Sequence, residues 1–92
     1  MQTPLVVALD GPIARADLPR LCARVGAQID AADGGVVECD LRAAAADAVT
    51  VEALARLRLL TRRHACSLRL RGAPPELFDL IDFMGLRHAL TG

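Results

Sequence analysis

The sequence predicts a small α/β fold, with a mainly parallel sheet and helices packed mostly on one face. Three observations predict it. Three short apolar runs alternate with three stretches of helical periodicity, in the order βαβαβα. Each strand–helix–strand unit implies a parallel pair joined by a right-handed crossover. The 92 residues allow one domain, residues 1–92. A chain of that size buries only about 60–65% of its unfolded surface, so it cannot cover both faces of a sheet.

The first strand is Pro4 to Leu9, a Val-containing apolar run ended by Asp10-Gly11-Pro12. Asp17 to Ala31 reads as a helix. Leu18, Leu21, Cys22, Val25 and Ile29 form its apolar stripe, Arg20, Arg24 and Gln28 its wet side. Asp17 is placed to cap it, Pro19 fits its first turn, and Asp33-Gly34-Gly35 ends it. Val36 to Leu41 is the second strand. A helix from about Ala48 to His64 follows, with Val51, Leu54, Leu57 and Leu60 near one face and Ala53 and Ala55 as small fillers. Glu52 and Arg56 are spaced to pair on its exposed side. Arg62 and Arg63 complement its macrodipole. Cys66 to Leu70 is the third strand, broken by Gly72-Ala73-Pro74-Pro75. The last helix opens at Pro75 or Glu76. Leu77, Leu80, Ile81 and Met84 face inward, Glu76, Asp79 and Asp82 outward, and Gly85 stops it. His88-Ala89-Leu90 reads as a short edge strand or a tail.

Composition narrows the function. Eleven basic residues, all Arg, balance 11 acidic ones, so no nucleic-acid partner is expected. Aromatics are 2%, too few to stack bases or sugars. No apolar run reaches the roughly 20 residues of a membrane span, and Met1-Gln2-Thr3-Pro4 lacks a basic start, so neither a span nor a secretory signal is expected. Cys22, Cys39 and Cys66 have no C-x-x-C spacing, which suits reduced thiols and a cytoplasmic location.

Val36-Val37-Glu38-Cys39-Asp40-Leu41, then Asp47-Ala48-Val49-Thr50-Val51-Glu52-Ala53-Leu54, then Leu68-Arg69-Leu70-Arg71-Gly72, then a closing helix ending Phe83-Met84-Gly85-Leu86 occur in that order. Together they resemble the STAS domain shared by anti-sigma-factor antagonists, from about Val36 to Leu90. The segment from Asp47 stands where that family has a D-S-S-G-L-x-x-L signature. The resemblance implies a bacterial, cytoplasmic transcription regulator that binds a histidine-kinase-like anti-sigma factor, an anti-anti-sigma protein. The family's N-terminal hairpin is trimmed here to one clear strand, with Pro12 to Arg15 as a rudimentary second.

The family's phosphorylated serine follows the signature Asp. Aligned on Asp47, that position is Ala48, and the signature Gly aligns with Thr50. Shifting the register by one puts Val49 at the serine position, again without a hydroxyl. Phosphate there would add about −1.5 to −2 charge at a partner-facing surface and release a docked partner. Ala48 leaves three readings: a module locked in its binding state, Thr50 as substitute phosphoacceptor, or a docking module that has left the switch. The partner surface implied is Asp47, Ala48, Val49, Thr50, Glu52 and Arg56.

Plainer readings stand beside these. Asp47 serves as a helix cap, Thr50 as a first-turn hydroxyl and Arg62-Arg63-His64 as a solvated helix end or an acidic-partner patch. Asp10 and Asp40, at strand ends, are solvated or hold a cation, and no third acidic ligand is spaced to help. His64, Cys66 and His88 do not make a zinc pattern, and Gly34-Gly35 is no phosphate loop. No cofactor, metal or catalytic set is expected; the only serine, Ser67, falls in a strand. The alternative to sigma regulation is a structural STAS subunit of a larger complex, such as a lipid-transport ATPase or a stress-signalling assembly, or a homo-oligomer built on the first strand's open edge.

Overall fold

The computed structural model describes residues 4–32 and 35–83. Their order is β1 (Leu5–Ala8), a 3-10 turn (Arg15–Asp17), α1 (Leu18–Ala32), β2 (Val36–Asp40), α2 (Ala48–Arg63), β3 (Ser67–Arg71) and α3 (Pro75–Phe83). Met84, Gly85, the His88-Ala89-Leu90 segment and the Asp33-Gly34 stop lie outside the described residues.

The three strands form one parallel sheet in the order β1-β2-β3. Strand order follows chain order, so crossovers of one hand return on the same face. The register sorts the side chains accordingly. Leu5, Val37 and Leu68 align across the sheet, as do Val7, Cys39 and Leu70. These rows turn into a core shared with Leu18, Val25 and Ile29 of α1, Val51, Leu54 and Leu57 of α2, and Leu77 and Ile81 of α3. The rows between them, Val6–Glu38–Arg69 and Ala8–Asp40–Arg71, face away from that core.

A parallel sheet is usually covered on both faces. Here the second face carries its own charge pairs. Arg71 Nη1 lies 3.2 Å from Glu38 Oε2, and Arg42 grips Asp40 through Nε at 3.0 Å and Nη2 at 2.7 Å. These residues, with Val6 and Gly72, line a depression of about 300 Å³.

Three local expectations are corrected. Asp17 does not cap α1: it lies inside the 3-10 turn, whose cap position is Ala14, and its N–H donates to the Ala14 carbonyl at 2.9 Å. Chain wrapping therefore starts one turn earlier. Pro12 to Arg15 supplies no second strand; just beyond β1 the Leu9 N–H donates to the Asp40 carbonyl at 3.1 Å and Gly11 forms an isolated bridge with Ala44. On α2, Leu60 packs half-buried against the core as its spacing implies, and Thr50 and Thr61 join that face fully buried. Thr61 can sit there because its hydroxyl donates to the Arg58 carbonyl at 2.9 Å. Cys66 lies just before β3 and not within it, because it completes the end of α2. Its N–H donates to Thr61 O at 2.8 Å, and the N–H of Ala65 to Arg62 O at 3.2 Å. That is a Schellman closure, and it holds Ala65 at φ 56°, in the left-handed region.

Candidate functional site

The start of α2 lies beyond the carboxyl end of β2, the side of an open α/β sheet where ligands commonly bind. Asp47 is extended (φ −139°, ψ 170°), and its Oδ1 accepts the Thr50 N–H at 2.8 Å. The cap satisfies one of the helix's orphan donors. Ala48 is exposed and Val49 half-buried just behind it.

Glu52 gives this helix start its charge geometry. Its Oε1 lies 3.3 Å from Arg15 Nε, and its Oε2 lies 3.3 Å from Arg56 Nη2. The second contact is a charge pairing without hydrogen-bond alignment. Arg56 holds the i,i+4 place that its spacing predicts. Arg15 comes from the 3-10 turn, and no local pattern could have revealed it.

The six residues implied by the resemblance therefore divide. Asp47, Ala48, Val49, Glu52 and Arg56 lie along the first three turns of α2, where Ala48 and Arg56 are exposed and Asp47, Val49 and Glu52 are partly covered. Thr50 is 0% exposed, and its Oγ1 is buried with no hydrogen-bond partner. In this conformation its hydroxyl is closed to a kinase. Arg62 and Arg63 are exposed in the last turn of α2. His64 Nδ1 lies 3.1 Å from Asp30 Oδ1 of α1.

Asp40 is held by its neighbour. Hydrogen bonds from the Arg42 side chain, then from the Arg42 N–H, lower its carboxyl to about 2. Cys39, buried on the opposite face of β2, has its thiol pushed up to about 12, by burial first and then by the Asp40 charge. Such a thiol is a packing group, not a nucleophile. Among the described residues no three His, Cys, Asp or Glu side chains are grouped to hold a metal ion, and no helix is long and apolar enough to cross a membrane.

Protein-family models, curated proteins and solved structures were each compared with the chain, and none matches.

Proposed function

We propose that the chain is a regulatory protein-docking module, which binds a histidine-kinase-like anti-sigma factor through the start of α2 without a serine switch. One observation carries the reading. An accessible helix start is braced by Arg15–Glu52–Arg56 charge pairing, yet the residue after the cap is Ala48 and the nearest hydroxyl, on Thr50, is fully buried. Such a surface presents one fixed arrangement of cap, small side chain and charges. Fixed geometry lowers the ordering cost of docking. The resemblance of Asp47 to Leu54 to the STAS signature supplies the class of partner.

Binding of the purified chain to candidate kinase-like anti-sigma factors tests it. Micromolar binding that Ala48→Glu and Glu52→Arg both weaken supports the reading. No binding by any candidate, or binding that both substitutions leave unchanged, overturns it. Ala48→Ser incubated with a bound kinase-like partner and ATP should restore phosphorylation at that position.

The assembly reading draws on a different observation: among the described residues, β1 and β3 are edge strands and all three helices pack into the one core, away from Val6, Glu38 and Arg69. It requires the chain to run with a stable large complex in native extract. A free or transiently bound chain argues for regulation instead.

A further inference from the structure

A second concavity, of about 410 Å³, lies beyond the end of β1, against the start of α1. We infer that it binds a small zwitterion, an α-amino acid with an apolar side chain. The concavity is open to solvent and large enough to admit a small ligand. Half-buried Ile13 contributes the apolar wall, with buried Leu9 and Leu21 behind it.

The charges around it decide the class of ligand. Asp10, Asp17, Arg20 and Arg24 all line the concavity, and among the described residues none of them is in an ion pair. Elsewhere Glu38, Asp40 and Glu52 all have arginine partners. The two arginines are also unfavourably placed. Arg20 stands in the first turn of α1, at the positive end of the helix dipole, with no acid in that turn. Arg24 follows at i+4, a like-charge spacing that destabilises a helix. A carboxylate shared by the two guanidiniums offsets both effects. A simple anion would meet Asp10 and Asp17 unfavourably, so the same molecule must also bring a cation. An ammonium group does so, and the apolar side chain covers half-buried Ile13. The inference concerns α1 and is independent of docking through α2.

The test is a nuclear magnetic resonance titration of the whole chain with L-leucine. 4-Methylpentanoate, which lacks the amine, and 3-methylbutylamine, which lacks the carboxylate, are the comparison probes. Leucine should shift the amide resonances of Asp10, Leu21 and Arg24, with each comparison probe at least about tenfold weaker. Arg24→Gln and Arg20→Gln should each weaken leucine by about tenfold or more, while Arg62→Gln leaves it unchanged. Both lining arginines are exposed, so the folded state survives their replacement. Leucine shifts confined to other residues, or absent at tens of millimolar, overturn the inference. So does 4-methylpentanoate binding as tightly as leucine, or Arg62→Gln weakening leucine as much as Arg24→Gln.

Discussion

Arg15 Nε stands 3.3 Å from Glu52 Oε1, tying the 3-10 turn before α1 to the second turn of α2. Both side chains are partly exposed, so the tie orders the surface more than it stabilises the fold. A double-mutant cycle with Arg15→Gln and Glu52→Gln should give a coupling of about 0.2–1 kcal/mol that shrinks as salt is added. A larger, salt-insensitive coupling in urea unfolding would contradict this assignment.

Thr50 and Ala48, two residues apart, should respond in opposite ways. Thr50→Val removes a buried hydroxyl that has no partner, and stability should rise by about 1 kcal/mol. Thr50→Glu buries a charge and should prevent folding, whereas Ala48→Glu, exposed at the helix start, is tolerated. Circular dichroism with urea titration separates the three. A well-folded Thr50→Glu protein would refute the burial.

Ala65 occupies the left-handed position that ends α2, where glycine carries no Cβ penalty. Ala65→Gly should stabilise the protein by about 1 kcal/mol, read as a higher urea midpoint at unchanged slope. An unchanged or lowered midpoint counts against the strain.

The Asp40 carboxyl titrates near 2 in the folded chain, below its unfolded value of about 3.9. A depressed acid stabilises the fold above its unfolded pKa, and that contribution fades as pH falls through the folded value. The Arg42 contribution should therefore be whole at neutral pH and disappear between about pH 4 and 2. In Arg42→Gln, the Asp40 carboxyl resonance should titrate closer to the unfolded value; an unmoved midpoint rules out Arg42 as the cause.

Thiol modification should rank by burial. Cys22 is half-buried, while Cys39 is buried with its thiol raised to about 12. At pH 8, iodoacetamide followed by mass spectrometry should label Cys22 first and Cys39 only as the chain unfolds. Early labelling of Cys39 would show that β2 opens without global unfolding.

Local periodicity made the elements legible. Of the α1 stripe, Leu18, Leu21, Val25 and Ile29 are buried as their spacing implies and Cys22 is half-buried at its edge, and the start of α2 falls just after Asp47. Thr50 and Thr61 were hidden because a hydroxyl counts as polar in such a pattern, although each lies in step with Leu54 and Leu57. Arg15 was hidden for another reason. Its partner lies on another element, and only the packing of α1 beside α2 brings them together. The assignment of a site at Asp47 rests on the resemblance alone, since its cap, small residue and charge pairing are common at helix starts.

The β1-β2-β3 order also determines when each strand can find its partner during synthesis. A parallel strand has no neighbour until its crossover is complete, so β1 waits for β2 to leave the ribosome. Residues 67–71 then arrive at an edge already formed. Folding should pivot on β2: Val37→Ala should slow refolding, whereas Leu68→Ala should mainly speed unfolding. Stopped-flow refolding and unfolding of the two variants would reveal the reverse, if β3 docks first.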